Sequence, residues 1–331
     1  MSTATVPAAP PTQNRPSGWA RARVILRKYY FVFALILFAA LLITNLLVQR
    51  DFGWAEQVAV FAPLALAAMA STPAIVAGRG GIDLSISPLM TFCSMIFATW
   101  LIPAGLGGWM SVPLIMLVGT AVGLINGMLT VLLRIPAVVV TLATYFVLAG
   151  LSLRIAPSTV AIGDNWVGEL DDSLWGFGSL VLILVPLIGW AIMSRTLYGR
   201  QLFAVGGNDA TALSSGVSVK LIRISAFGIG GLIASLGSFA LLAVVHVADP
   251  GQATAYTLLA IASVALGGTS LLGGRGGLLG SLLGAGSIFL VQSLLTVLRV
   301  PAQWLGLFYG GVLLVAVVVG ALISRSGKAN A

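Results

Sequence analysis

The sequence predicts an all-α protein, a polytopic bundle of about ten transmembrane helices with both termini in the cytoplasm. Three observations predict it. Of 331 residues 59% are hydrophobic and 8% charged, against about 25% charged in a typical soluble domain, so the chain lacks the polar residues to cover a soluble surface. The apolar residues gather into ten long runs, each near the roughly 20 residues that a helix needs to cross about 30 Å of hydrocarbon. Finally, with the N-terminus inside, 14 Lys and Arg fall in inside segments and 3 in outside ones, which is the asymmetry expected of cytoplasmic loops.

The elements follow in order. Residues 1–28, rich in Ala, Pro, Ser and Thr and ending in Arg21, Arg23, Arg27 and Lys28, read as a disordered basic cytoplasmic segment. A transmembrane domain over 29–325 follows, then a cytoplasmic tail over 326–331. The apolar runs are about 29–49, 57–77, 87–103, 109–133, 136–156, 174–193, 221–246, 256–272, 278–298 and 303–323. The first is longer than a signal-peptide core and has no small-residue cleavage site after it, so it reads as a retained span. Prolines 63, 73, 113 and 186 lie in or near these runs, where membrane helices tolerate them as kinks. The stretch 256–298 reads either as two spans or as one containing a re-entrant loop, because Gly267–Gly277 is so rich in glycine.

Two patterns bear on packing. Gly119, Gly123 and Gly127 recur every four residues, as do Gly276, Gly280 and Gly284; small residues on one face let membrane helices approach closely. Leu129–Ala137 reads LTVLLRIPA and Leu295–Ala302 reads LTVLRVPA. One closes the fourth span inside and the other the ninth span outside, as an inverted repeat of spans 2–5 and 7–10 would place them.

Composition also excludes function classes. A net charge of +8 is accounted for by cytoplasmic flanks, with no basic face for nucleic acid. Cys93 is the sole cysteine, a packed core thiol, so neither a disulfide nor a zinc cluster fits. No metal site and no cofactor is expected. The three lysines lie outside any G-x-x-x-x-G-K-[ST] context, so this chain is not an enzyme and does not itself hydrolyse ATP. His246 reads as a packing or interfacial residue. Proton-coupled carriers bury several carboxylates, whereas here Asp83 is the one candidate.

Three segments are more specific than generic apolar sequence: Gly78–Met90 (GRGGIDLSISPLM), Phe203–Lys220 (FAVGGNDATALSSGVSVK) and Ala260–Gly280 (AIASVALGGTSLLGGRGGLLG). In the first, Gly80 and Gly81 suit a tight turn with Asp83 capping the next helix; a polar hinge beside a pathway, with Asp83 accepting hydrogen bonds or pairing with Arg79, fits equally. In the second, Gly206-Gly207 breaks the chain and Asn208 or Asp209 caps a short helix from Ala210 to about Ser215. In the third, Gly267, Gly268 and Thr269 suit a gate or interface element, with Arg275 facing the cytoplasm. Within the spans, Asn126, Thr144 and Gln292 are cavity candidates, each better explained by interhelical hydrogen bonding.

In these segments the chain resembles the membrane-permease family of ribose-, xylose- and arabinose-type ATP-binding-cassette importers, part of the branched-chain amino acid/sugar permease superfamily. The family's G-G-I-D-L-S is matched by Gly80–Ser85, its A-V-G-G-N by Ala204–Asn208 with Gly216–Lys220 following, and its A-I-A-A-V-V-L-G-G-T-S-L-x-G-G-R-G by Ala260–Gly276 apart from Ser263 and Ala265. The similarity covers roughly 29–325. It departs at Arg79, where the family usually has a small or hydroxyl residue, and at Ser87-Pro88. The resemblance implies a bacterial inner-membrane permease subunit that passes a monosaccharide or polyol by alternating access. Its implied partners are a cytoplasmic ATPase, a periplasmic sugar-binding protein, a second permease subunit (the same chain or a similar one) and membrane lipid. It implies ATPase coupling through the 194–220 loop, with Gly206, Gly207, Asn208, Asp209 and Gly216. It also implies a pathway or gate at Gly80, Gly81, Asp83, Ser85, Asn126, Thr144, Gly267, Gly268, Thr269 and Gln292. An ion-coupled secondary transporter and an uncoupled channel or scaffold subunit are the alternatives.

Overall fold

The computed structural model describes residues 31–49, 51–172, 178–252 and 256–301, with six further positions between 304 and 314. The basic N-terminal segment, the C-terminal tail and most of the tenth apolar run lie outside the described residues. The helices are α1 (Val32–Val48), α2 (Trp54–Val76), α3 (Ile86–Ile96, continued by a π-helical turn to Leu101), α4 (Ser111–Leu132), α5 (Ala137–Ile155), α6 (Glu169–Asp172), α7 (Gly178–Met193), α8 (Leu197–Gly207), α9 (Asp209–Ser214), α10 (Val219–Val245), α11 (Tyr256–Leu266) and α12 (Leu278–Val297). Two-residue strands, β1 (Val160–Ala161) and β2 (Val247–Ala248), pair antiparallel and tie the α5–α6 connection to the end of α10.

Among the described residues five helices, α2, α4, α5, α10 and α12, are long and apolar enough to cross a membrane; α7 with α8, bent by 84°, makes a sixth if taken as one span. α1, α3 and α11 are apolar but shorter. The expected eighth run to residue 272 ends instead at Leu266, because Gly268 turns into the left-handed region (φ 79°). Eleven residues rise about 16 Å, roughly half the hydrocarbon thickness. The stretch 256–298 is therefore a short helix and a full-length one joined by a glycine-rich connection.

The core is built on α2 and α10. Their most apolar windows are 83% and 78% buried, against 28% and 22% for α4 and α5, so the latter two keep a broad outward apolar face. Pro63 and Pro73 lie inside α2 without ending it. α4 packs along α10 through the predicted glycine stripe: a Cβ at Gly119 would stand 2.4 Å from Gly231 O, and at Gly123 2.3 Å from Phe227 O. The second stripe is only partly helical. A Cβ at Gly284 would meet Ser263 O at 2.0 Å, sealing α12 on α11, but Gly276 (φ 126°) precedes the helix and turns the connection.

The LTVL motifs take the same backbone course. Arg134 after α4 and Arg299 after α12 both adopt φ near 55–58°, left-handed values uncommon outside glycine. Each leads to an apolar residue and a proline. His246 is the left-handed residue closing α10, its N–H bonded to Leu242 O and its carbonyl accepting from Ile162 N at 3.2 Å. Cys93 is fully buried.

Candidate functional site

α2 runs into three consecutive left-handed residues, Gly78, Arg79 and Gly80 (φ 82°, 54° and 66°). The connection turns on Gly81 N to Gly78 O (3.2 Å) and Ile82 N to Gly80 O (2.7 Å). Gly81 lies so close to α2 that a Cβ would stand 2.2 Å from Ala74 O. Only glycine fits there.

The connection then dips into the bundle. Asp83 Oδ1 accepts from Ser85 N at 2.9 Å and from Ser85 Oγ at 2.6 Å. Asn126 Nδ2, from α4, donates to Ser85 Oγ at 2.9 Å, and Thr144 Oγ1, from α5, donates to Asn126 Oδ1 at 2.6 Å. Thr141 Oγ1 accepts from Leu84 N at 3.1 Å. Asp83, Ser85, Asn126 and Thr141 are buried, and Thr144 is half-buried. Every donor in this chain points toward the Asp83 carboxylate, the acceptor that a buried donor series requires. Asp83 accordingly makes an Asx turn onto Ser85. It does not pair with Arg79.

Arg79 pairs with Asp209 instead, Nε to Oδ2 at 2.7 Å. Arg223 of α10 holds Oδ1 of the same carboxylate, and its Nε donates to Ala77 O at 3.3 Å. Behind the pair, three connections meet backbone to backbone. A Cβ at Gly206 would stand 1.9 Å from Val76 O and 2.5 Å from Gly274 N; one at Gly273, 2.4 Å from Gly78 Cα; one at Gly274, 2.7 Å from Gly207 Cα. Gly274 N also donates to Val76 O at 2.9 Å. The three sequence motifs, with Gly78, Gly206 and Gly274 separated by 128 and 68 residues along the chain, thus share one junction.

The 194–220 segment is largely helical rather than a loop. Thr196 caps α8 by accepting from Gly199 N. Asn208 Oδ1 caps α9 by accepting from Thr211 N at 3.1 Å, as its sequence position implies. Gly216 (φ 80°) ends the turn after α9, its N–H bonded to Leu213 O at 3.0 Å. α8 escaped the sequence reading because Gly206-Gly207 looked like a break; both are helical, and Gly206 is there for close packing. Gly207 itself faces open space.

The remaining predicted residues divide. Gly267 packs on Gly280, a Cβ there standing 2.2 Å from Gly280 O. Thr269 Oγ1 accepts from Gly277 N at 3.3 Å, closing the α11–α12 connection on itself. Arg275 is exposed, its carbonyl accepting from Ser270 N at 3.0 Å. Gln292 is half-buried on α12 and joins neither the Asp83 network nor the junction. The polar links on that helix are to α1, where Asn45 Nδ2 donates to Leu290 O and Gln49 Nε2 to Ser293 Oγ, both at 3.0 Å, and to α2, where Thr72 Oγ1 and Ser281 Oγ lie 2.7 Å apart. Sequence reasoning missed Arg223, Thr141, Gly78, Gly273 and Gly274 as site residues. Runs of glycine marked three of them; nothing local marks which backbone each would touch.

Beside the junction lies a cavity of about 820 Å³ whose wall includes Arg79, Arg134, Lys220, Arg223, Asp209 and Phe227. Four cations and one carboxylate give that end of the bundle a positive mouth over apolar walls.

Comparison with known proteins gives a consistent result. The family described as branched-chain amino acid transport system / permease component matches residues 54–317. The ribose import permease protein RbsC of Haemophilus influenzae is 29% identical over 92% of this chain and 96% of its own length. The autoinducer 2 import system permease protein LsrC of Escherichia coli is 32% identical over 77% of this chain and 75% of its own, and that of Yersinia enterocolitica 33% over 72% and 67%. No solved structure matches the chain.

Proposed function

The chain belongs to the branched-chain amino acid transport system / permease component family, and from that premise we propose that it is the membrane-spanning permease subunit of an ATP-binding-cassette importer for a sugar or related polyol. It is a multi-pass protein of the bacterial inner membrane. Its relatives are named as permeases for ribose and autoinducer 2. The ATPase is a separate cytoplasmic subunit, and a periplasmic binding protein delivers the substrate. A second permease subunit completes the pathway.

The observation that carries the mechanism is the junction of Gly78, Gly206 and Gly274 beside α9. It lies at the basic end of the bundle, the cytoplasmic end by the positive-inside rule. The exposed α9, with Leu213 outward, is the surface on which the ATPase docks. Movement there reaches the α2–α3 and α11–α12 connections, and the Asp83–Ser85–Asn126–Thr144 network is the hinge or gate beside the pathway.

Ten spans over 29–325 form the domain, in two inverted halves. Supporting the halves, α2, α3 and α4 have 23, 11 (with a further five in its π-helical turn) and 22 residues, and α10, α11 and α12 have 27, 11 and 20: in each half a short helix lies between two long ones. The left-handed Arg134 and Arg299 occupy matching places in them.

The test is reconstitution in vesicles with the ATPase and binding protein, using a panel of labelled pentoses and hexoses. Uptake should require internal ATP and the binding protein and survive an uncoupler. Uptake without ATP that collapses with the uncoupler would replace this reading with an ion-coupled carrier; downhill flux indifferent to both would replace it with a channel.

A further inference from the structure

We infer that the Arg79–Asp209 ion pair is the positioning link through which movement of α9 reaches the α2–α3 connection; this rests on α9 being the ATPase-docking helix. Asp209 is the first residue of α9, and both its carboxylate oxygens are engaged. Arg223 holds one and, through Ala77 O, ties it to the end of α2. Arg79 holds the other.

Arg79 is an unusual choice on two counts. Its φ of 54° lies between the left-handed Gly78 and Gly80, a run in which glycine would be the default residue. Its side chain is 75% exposed, so packing does not explain it. What an arginine adds at this position is reach to Asp209. The covalent distance onward is short. Four residues after Arg79 stands Asp83, the terminus of the Ser85–Asn126–Thr144 donor chain. On the opposite side Gly206 abuts Val76 O and Gly274 N without a gap, so the base of α9 cannot slide past the end of α2 independently. A displacement of Asp209 therefore carries Arg79, and with it the strand of chain that positions Asp83.

The experiment uses the full chain assembled with its ATPase in vesicles. Cys93→Ser removes the native thiol, and Ile82→Cys places a half-buried reporter in the connection. Maleimide labelling is compared without nucleotide and in the ATP-plus-vanadate state. With Arg79 present the labelling rate should differ between the states by about threefold or more. Arg79→Gln, an exposed change that leaves folding intact, should cut the difference by half or more while the ATPase still co-purifies, the remainder being carried by the Gly206–Val76 contact and the Arg223–Ala77 bond. Arg79→Lys, which keeps the charge, should retain most of the difference. Asp209→Asn, which also releases Arg223, should lose at least as much as Arg79→Gln, and the double variant should lose no more than Asp209→Asn alone, since residues acting as one unit are not additive.

A nucleotide-dependent difference that persists undiminished in Arg79→Gln overturns the inference, as does its absence when Arg79 is present. Either result can occur while uptake still needs ATP, so this failure is distinct from failure of the permease reading, which uptake without an ATPase would bring about.

Discussion

Gly206→Ala should destabilise the folded protein, and Gly207→Ala, one residue on in the same helix, should not. Both glycines close α8, so the intrinsic helix gain of alanine, up to about 0.5–1 kcal/mol, applies to both. Their surroundings differ. A Cβ at Gly207 meets nothing within 4 Å. At Gly206 it would lie 1.9 Å from Val76 O and 2.5 Å from Gly274 N, and real contacts begin near 3.0 Å. The obstructing atoms are backbone from two other connections, so no side-chain rotation relieves them; the junction must open by about an ångström along a line that the Gly274 N–Val76 O hydrogen bond closes. Overpacking of this kind costs about 1–3 kcal/mol, which exceeds the helix gain and leaves a net loss on the order of 1–2 kcal/mol. Cys93 supplies the assay. It is the only cysteine and fully buried, so a thiol-reactive fluorogenic dye reports its exposure as the purified protein is heated in detergent. Gly206→Ala should unfold below the parent and Gly207→Ala at or above it. Equal shifts for the two, in either direction, would refute the close junction.

Further outcomes follow from the same geometry. Asn126→Ala removes the group that accepts from Thr144 and donates to buried Ser85; unsatisfied buried partners cost about 1–3 kcal/mol, read by the same dye assay, whereas Thr144→Val at the half-buried end should cost less. Gly119→Val forces α4 off Gly231 O and should lower thermal stability by about 1–3 kcal/mol. Asn208→Ala deletes the α9 cap, a loss of about 1 kcal/mol confined to that turn, so hydrogen exchange over 209–214 should quicken while Cys93 exposure temperature changes little.

How much of the site was readable depended on whether its chemistry is local. The Asn208 cap needs only a side chain within three residues of the N–H that it accepts from, and the sequence narrows it to Asn208 or Asp209. The Gly119-Gly123-Gly127 stripe is likewise set by helical period, and it packs as expected on α10. The pairing of Arg79 was not readable. Asp83 lies four residues from it and Asp209 one hundred and thirty, and proximity along the chain favours the wrong carboxylate. Gly206 and Gly207 looked alike, since both read as helix breakers; only the position of Val76 and Gly274 makes one indispensable and leaves the other facing open space.

By itself, then, the sequence determined membrane residence, helical class and the three motifs through which it resembles the permease family, because hydropathy and short spacing are properties of contiguous residues. Tertiary structure alone decided that those motifs share one junction, that α8 precedes the short helix α9 in the 194–220 segment, that Asp209 is clamped between Arg79 and Arg223, and that Asp83 ends an internal donor chain from α5. These are contacts between segments far apart in sequence. Their partners are chosen by how helices pack, a choice that no window of residues contains.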